Sequence, residues 1–499
     1  MRIYKLACRG WRGLTGACVI EGRPALVGWP AVPNLRQGAA GASVKSSFEI
    51  EAGIAVKLVK AQIKNFRSME DSGEFDIDQI ACLIGKNEAG KSALLQALAA
   101  LNPHPSTPLK LDKERDYPRR HLASYAELHP KDPAVVVLTE WEFDDGELAT
   151  LEEMLGKASV DRRVRVQRRY GEDFSIDATI DTKKIIKHLF AKFGVTGDDA
   201  KALAGATTTA QLIEELNAVP APSEPQANLR AHLLNEGTAI TQVHRFVAQH
   251  LPRFMYVSSY DRMDGTVQFQ QLQELQDQGL LDHEEHRGKK LFVEFLRYAG
   301  ISPADLLRQT TFETHNALLQ AASNKITDQI LEYWTQSSDL SVEVRVSAGM
   351  AGDPAPFQTG NVARARIYNA LHRVDTPFSE RSSGFVWFFS FLVRFAQIRN
   401  EAAPVILLLD EPGLTLHGKA QLDLQRFFRE RLAPHHQIIF STHSPFMVPA
   451  NDLGSVRVLQ DAVEQRGARR IPLGTKVVGH LQSQDADALF PLRAAVSPA

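Results

Sequence analysis

An eight-residue stretch, GKNEAGKS at positions 85–92, constrains the fold of this 499-residue chain more than any other feature. It fits the pattern G-x-x-x-x-G-K-[ST]. It follows the apolar run IACLIG (80–85) and leads into KSALLQALAALN (91–102), which has helical spacing and stops at Pro103. Glycines let the backbone amides of such a loop point inward around phosphate oxygens, and the start of the next helix adds a favourable dipole. The sequence therefore predicts a strand, a phosphate-binding loop and a helix.

The residues of this loop have separate expected parts in holding a nucleotide. Lys91 is expected to reach the β- and γ-phosphates, and the Ser92 hydroxyl to ligate Mg²⁺. The nucleotide is also expected to contact the other loop positions, Gly85, Lys86, Asn87, Glu88, Ala89 and Gly90. ATP and Mg²⁺ are thus the expected cofactors, and the alternative is an ordinary glycine-rich turn.

Two further apolar runs end in residues suited to phosphate chemistry. VILLLDEPG (405–413) ends in Asp410 and Glu411, which are costly to bury side by side without a cation. Asp410 is expected to hold Mg²⁺ through water, and Glu411 to polarise the attacking water as a general base or orienting group. IIFSTHSPF (438–446) carries His443, which is expected to sense the γ-phosphate, although a lone histidine is usually structural or solvated.

RSSG (381–384) begins an apolar helix between the phosphate loop and the acidic pair. A single phosphate-loop site does not need this motif. Ser382, Ser383 and Gly384 at a helix start form a second anion site, and their position indicates that they serve the nucleotide of another subunit. The alternative is a simple helix N-cap.

The strand-and-helix pattern is interrupted by a long middle region, with a hairpin at 162–181 and helical segments at 182–194, 199–217, 239–250 and 303–337. The expected fold class is therefore α/β, a P-loop ATPase head with a largely helical insertion that forms an arm or dimerisation region. The expected divisions are 1–54, a poorly ordered extension; 55–145, the first lobe of the head; 146–340, the hairpin and insertion; 341–475, the second lobe; and 476–499, a linker.

The net charge of −2 gives no global attraction to nucleic acid, so contact with DNA requires a local patch. DRRVRVQRRYG (161–171) is the main candidate, because Arg163, Arg165 and Arg169 share one face of a strand. YPRRH (117–121) is a weaker candidate. A solvated basic hairpin is the alternative.

The location is inferred from composition and from the N-terminal residues. Cys8, Cys18 and Cys82 have no metal-type or disulfide spacing, which predicts a reducing, cytoplasmic setting. The sequence contains no run of about 18 apolar residues, so no membrane span is expected. Residues 1–47 carry seven Lys/Arg and one acid, so we expect a poorly ordered tail or sequence upstream of the native start, with an organellar transit peptide as the alternative.

The order GKNEAGKS, RSSGF, LLLDEPG, STHSP resembles that of ABC-type ATPase heads, as in SMC-like and RecF-like proteins. The resemblance implies two heads that sandwich two ATP molecules, with the signature loop of one head contacting the γ-phosphate held by the other. Ser382 then matches the signature serine, and Ser383 and Gly384 the two small residues after it. NFRS (65–68) resembles an early strand of these heads and places Arg67 near the nucleotide.

ERSSGFVWFFSF, LLLDEPGLTLHGKAQ and GTKV…DADALFPL resemble the OLD (overcoming lysogenization defect) nucleases and their relatives in Gabija-type anti-phage systems. This resemblance covers 55–145 and 340–492. It implies an ATPase followed by a TOPRIM nuclease domain that cleaves DNA with metal held by a Glu and an Asp-x-Asp. DADA (485–488) lacks a preceding apolar strand that ends in Glu, so we expect a linker or helix cap there, and no nuclease domain in this chain.

Three roles are compatible with the sequence. The first is an ATPase that acts on DNA as a homodimer or higher oligomer, with a nuclease or helicase partner in trans. The second is an ATP-dependent scaffold that regulates an effector. The third is a RecF- or SMC-like repair ATPase, although the insertion lacks sustained heptads. A transporter ATPase is not expected, because those chains lack an insertion of this size between phosphate loop and signature.

Overall fold

The computed structural model describes residues 56–307, 312–333, 339–398, 405–466, 469–479, 483 and 485–496, so the expected N-terminal extension lies outside the described residues. The strands, in chain order, are β1 Lys57–Phe66, β2 Met69–Asp71, β3 Phe75–Asp76, β4 Ile80–Gly85, β5 Val135–Glu142, β6 Val160–Arg169, β7 Ser175–Ile180, β8 Arg253–Ser258, β9 Thr266–Gln268, β10 Leu340–Ala348, β11 Asn361–Asn369, β12 Val374–Pro377, β13 Val405–Asp410, β14 Ile438–Ser441, β15 Val456–Arg466 and β16 Arg469–Gly479.

The α-helices are α1 Lys91–Ala99, α2 Lys113–Asp116, α3 Tyr125–Leu128, α4 Asp145–Leu155, α5 Thr182–Phe193, α6 Gly197–Lys201, α7 Thr209–Ala218, α8 Glu224–Glu236, α9 Ala239–His250, α10 Phe269–Asp277, α11 Arg287–Tyr298, α12 Pro303–Leu306, α13 Glu313–Tyr333, α14 Ser383–Ile398, α15 Gly418–Phe427 and α16 Phe490–Val496.

A central sheet brings the motif-bearing strands together in the order β16–β15–β4–β14–β13–β8. Strands β15, β4, β14, β13 and β8 are parallel neighbours, and β16 pairs antiparallel with β15. Their carboxyl ends therefore meet at one edge of the sheet. Every residue of β13 is buried, as expected for a strand covered on both faces, which explains why it reads as one apolar run.

The two faces of this sheet pack into separate cores. Leu407 and Leu409 of β13 belong to a core that also contains the aromatic side chains of α14, such as Phe389. Ile406 and Leu408 face the other core, which contains Leu94 and other residues of α1. The alternation fixes α1, and hence the phosphate loop, on one face, and fixes the helix that follows RSSG on the other.

A second, antiparallel sheet contains the predicted hairpin. Its strands run in the order β2–β1–β5–β6–β7, with β3 also paired to β1. Strands β6 and β7 form the hairpin expected at 162–181, and the helices α5 to α9 follow it in the predicted insertion. Asp181 caps α5 by accepting a hydrogen bond from the Lys184 backbone amide.

Several strands were not anticipated from the sequence. Strand β8 is the edge strand beside β13, and its sequence RFMYVS is short and begins with a charged residue. Strands β9 to β12 form a separate antiparallel sheet before RSSG, and β15 and β16 extend the central sheet beyond β4. Within the described ranges, none of the helices has both the length and the apolar composition required to cross a bilayer.

Candidate active site

The phosphate loop joins β4 to α1 through two positions that favour glycine. A Cβ atom on Gly85 would lie 2.5 Å from the Leu459 carbonyl oxygen of the neighbouring strand β15. Gly90 has φ +90°, a left-handed conformation in which a side chain is strained, and it is the N-cap of α1. These constraints position the loop over the positive end of the α1 dipole, the arrangement that binds phosphate.

Lys91 is held inside the loop. It is 6% exposed, and its Nζ donates to the carbonyl oxygens of Gly85 at 3.2 Å and Lys86 at 3.0 Å. The same amine lies 2.7 Å from Nε2 of His443 and 3.9 Å from Oε1 of Glu411. The structure thus brings Lys91, His443 and Glu411, which come from three different motifs, to one point.

Burial shifts the titration of these three groups. It lowers the pKa of Lys91, against the opposing effect of the nearby carboxylates. Burial, reinforced by the charge of Lys91, lowers the pKa of His443 to about 4, so the imidazole is neutral at neutral pH and accepts from the amine. Burial raises the pKa of Glu411 to about 7, a value suited to a general base at neutral pH. Glu411 also has φ 51°, a strained backbone conformation of the kind found at functional sites.

Asp410 is buried and held by two hydroxyl groups that the sequence analysis missed. Ser441 Oγ donates to its Oδ1 at 2.7 Å, and the Tyr256 hydroxyl donates to its Oδ2 at 2.8 Å. Ser441 Oγ also accepts from the Glu411 backbone amide at 2.9 Å. Gln96 of α1 in turn donates to the Tyr256 hydroxyl at 3.2 Å. Ser441 lies two residues before His443 within IIFSTHSPF, which was the available signal, whereas Tyr256 lies on the unanticipated strand β8.

These donors fit a magnesium ion delivered with a nucleotide. The exposed hydroxyl of Ser92 and the carboxylate of Asp410 are hard oxygen ligands, which Mg²⁺ prefers. Both Asp410 oxygens already accept a hydroxyl, so contact through a metal-bound water suits this carboxylate. Among the described residues, no group of three or more His, Cys, Asp or Glu side chains is arranged to hold a metal ion.

The RSSG motif lies at the start of α14 on the other side of the central sheet. Ser382 is exposed, and its Oγ accepts from the Phe385 backbone amide at 3.4 Å, as an N-cap does. Ser383 is partly exposed and Gly384 is buried. A Cβ on Gly384 would lie 2.4 Å from Leu416 Cδ2, in the segment after Glu411. The motif therefore packs on the chain that follows the acidic pair, with the Ser382 side chain facing outward.

Arg67 lies beside a cavity that adjoins the acidic strand. Its Nε donates to Asp116 Oδ1 at 3.1 Å, and its guanidinium lies over the Phe66 ring. The cavity, of about 430 Å³, is lined by Arg67, Gln96 and Tyr256 among others. Because Tyr256 bonds Asp410, a molecule in this cavity would lie next to the candidate magnesium ligand.

The basic strand carries balanced charge. In the β5–β6 pairing, Arg165 lies opposite Glu140 and Arg163 opposite Glu142. Arg163 contacts both carboxylates at 3.0 and 3.2 Å, and Arg165 contacts Glu140 at 3.3 Å. Arg169 donates to the Pro133 carbonyl oxygen. The strand therefore lacks the uncompensated positive patch expected from the sequence, because the facing strand supplies the counter-charges. In the weaker candidate, YPRRH, two side chains likewise contact one glutamate.

The DADA segment also lies near the phosphate loop. Asp485 Oδ1 accepts from the backbone amides of Asp487 and Ala488, so this aspartate caps a turn before α16. The second oxygen of Asp485 and a carboxylate oxygen of Asp487 lie 3.1 and 3.3 Å from Nζ of Lys86.

Similar structures include the Smc head domain with an extended coiled coil, bound to the C-terminal domain of ScpA, from Pyrococcus furiosus (15% identity, 85% of this chain and 96% of that chain covered, TM-score 0.34). The SMC head domain from Thermotoga maritima has 12% identity, with 85% of this chain and 98% of that chain covered and a TM-score of 0.32. A SmcHead bound to the C-winged helix domain of ScpA has 12% identity, with 85% of this chain and 97% of that chain covered and a TM-score of 0.33. These scores are too low to transfer individual residues. No curated protein matches the chain.

A family model described as an AAA ATPase domain matches residues 57–157 and 281–448, which is more than half of the chain. The matched ranges contain the phosphate loop, RSSG, the acidic pair and His443. With the parallel sheet and its motif-bearing strand ends, this match confirms the predicted fold class, an α/β P-loop ATPase head with a largely helical insertion. The chain belongs to the AAA ATPase domain family.

Proposed function

We propose that this chain binds ATP with Mg²⁺ and hydrolyses it to ADP and phosphate. The observation that carries the proposal is the convergence of Lys91, His443 and Glu411 within 3.9 Å at the mouth of the phosphate loop. Bound Mg²⁺ would neutralise phosphate charge. Lys91 binds the β- and γ-phosphates, and Glu411 accepts a proton from the attacking water. Neutral His443 contacts the γ-phosphate and helps to orient it.

We further propose that two copies form each complete site, with Ser382 of one copy contacting the nucleotide of the other, as in ABC-type heads. The exposed Ser382 side chain supports this proposal. So do Tyr260, Leu414 and Phe446, which are 76%, 52% and 51% exposed and follow the carboxyl ends of β8, β13 and β14. Large apolar side chains around the mouth of a site favour burial against another protein surface.

The hydrolysis proposal is tested with the full chain, a fluorescent ATP analogue and a phosphate-release assay. Lys91→Ala should abolish nucleotide binding and turnover, because it removes the amine that engages the phosphates. Lys201→Ala is the matched control, since that lysine is 80% exposed in the insertion and pairs only with the nearby Asp198 among the described contacts. Tight nucleotide binding by Lys91→Ala would refute the site assignment.

For the cellular role, we propose a cytoplasmic DNA-processing ATPase of the RecF- or SMC-like type. The motif order supports this broad assignment, and the family match supports the ATPase part of it. The narrower OLD-type role, as a DNA-processing or antiviral ATPase that works with a nuclease, is the second candidate, supported by the longer sequence stretches around RSSG and the acidic pair. Stimulation of phosphate release by DNA distinguishes either role from an ATP-dependent scaffold. DNA-independent turnover together with a stable effector complex would favour the scaffold.

A further inference from the structure

The C-terminal residues 485–496, which we call the strap, contact the phosphate loop in this structure. Nζ of Lys86 lies 3.1 Å from Asp485 and 3.3 Å from Asp487, so both aspartates of DADA hold one loop residue. Hydrogen bonds to these carboxylates raise the pKa of Lys86. Against the effect of burial, hydrogen bonds from the Ala488 backbone amide and from Lys86 lower the pKa of Asp485. The contact joins the phosphate loop to a segment about 400 residues later in the sequence.

The strap is anchored at a second place beside the same site. Ala488, Leu489 and Leu492 are buried in the core on the α14 side of the central sheet. Helix α16 packs against the turn Pro445–Met447, which begins two residues after His443. One end of the strap thus contacts the phosphate loop, and the other end lies against the segment that carries His443.

Lys91 is linked to both anchors. Its Nζ donates to the backbone carbonyl oxygen of Lys86, the residue whose side chain holds the strap. It also lies 2.7 Å from His443. All three donors of this ammonium group are engaged, by Gly85, Lys86 and His443, so a triphosphate that binds Lys91 must displace at least one of these partners. The added negative charge also competes with Asp485 and Asp487 for Lys86.

We propose that nucleotide binding at the phosphate loop and docking of the strap compete, so that the strap transmits nucleotide occupancy to the C-terminal side of the chain. This inference rests on the proposed nucleotide binding and adds a regulatory contact to it. Coupling between two sites is reciprocal, so loosening the strap tightens nucleotide binding by the same factor with which nucleotide loosens the strap.

The test measures hydrogen–deuterium exchange of peptides that cover the strap in the full chain, with and without a non-hydrolysable ATP analogue and Mg²⁺. Binding of the same analogue is measured in parallel by calorimetry. We expect the nucleotide to increase exchange in the strap severalfold. The double variant Asp485→Asn/Asp487→Asn should show the higher exchange without nucleotide. Because exposed ion pairs are individually weak, it should bind the analogue about two- to tenfold more tightly.

Asp485→Asn keeps the side-chain oxygen that caps the turn, so the double variant removes charge without removing the cap. Glu74→Gln is the matched control, because it deletes an exposed ion pair between Lys60 of β1 and the residue before β3, and the affinity of this variant for the analogue should stay unchanged. If the analogue binds but exchange in the strap is unchanged or reduced, the proposed competition is wrong while the proposed function stands. Unchanged affinity of the double variant would have the same meaning. Absence of analogue binding to the wild-type chain would overturn the proposed function and the strap together.

Discussion

Ser441 is predicted to be a positioning residue for hydrolysis, because one hydroxyl joins the two acidic residues. Its Oγ donates to Asp410 at 2.7 Å and accepts from the Glu411 backbone amide at 2.9 Å, and the residue is fully buried. A hydrogen bond to a charged group contributes about 1.5–3 kcal/mol. Ser441→Ala should therefore lower the free energy of unfolding by about that amount. If the same interaction holds both carboxylates in place for catalysis, kcat should fall about 10- to 100-fold.

The assay compares kcat from steady-state phosphate release at saturating ATP with nucleotide affinity measured in the absence of Mg²⁺. We expect kcat to fall and this affinity to stay within about twofold, because Ser441 touches the acidic pair and not Lys91. Ser323→Ala is the matched control, since Ser323 is equally buried and its hydroxyl donates only to the Leu319 carbonyl oxygen within α13. A kcat for Ser441→Ala within twofold of wild type would refute the positioning role.

Two more predictions concern pH and stability. The kcat/KM for ATP should rise as pH rises through about 7, because Glu411 loses its proton there. Glu411→Gln should remove this rise from the pH profile of its residual activity. A rise that persists in the variant would exclude Glu411 as the general base. Because folding raises this pKa from 4.5, the contribution of Glu411 to stability is present below pH 4.5 and is lost as pH rises through about 7. Arg394→Met should cost about 3–5 kcal/mol in urea unfolding, because it removes the buried guanidinium that contacts the carboxylates of both Asp261 and Glu294. A loss no larger than that of the exposed-pair control Arg366→Met would contradict this prediction.

The motif residues could be predicted because their order and spacing are local. A glycine-rich loop between an apolar strand and a helix needs only consecutive residues, and GKNEAGKS supplies them. VILLLDEPG and IIFSTHSPF could likewise be predicted as buried strands that end in residues suited to phosphate chemistry. The structure places Lys91, Glu411 and His443 together, as that reasoning requires.

Contacts between distant strands could not be predicted. The Tyr256 hydroxyl donates to Asp410 across 154 residues, from a six-residue strand that is too short to stand out in the sequence. The balance of Arg163 and Arg165 by Glu140 depends on the register between β5 and β6, which no local pattern specifies. For the same reason, Asp485 was interpreted only as a linker or helix-cap residue, because its contact with Lys86 depends on the folded chain.

Complementation between two variants with strongly reduced turnover tests most directly whether hydrolysis requires residues from two copies. Glu411→Gln keeps an intact Ser382 but lacks the general base, whereas Ser382→Arg keeps Glu411 but lacks the signature hydroxyl. A mixed dimer contains one site in which both residues are native, so an equimolar mixture should recover up to about a quarter of the wild-type rate of phosphate release. A mixture that releases phosphate no faster than the sum of the two separate variants would contradict the account.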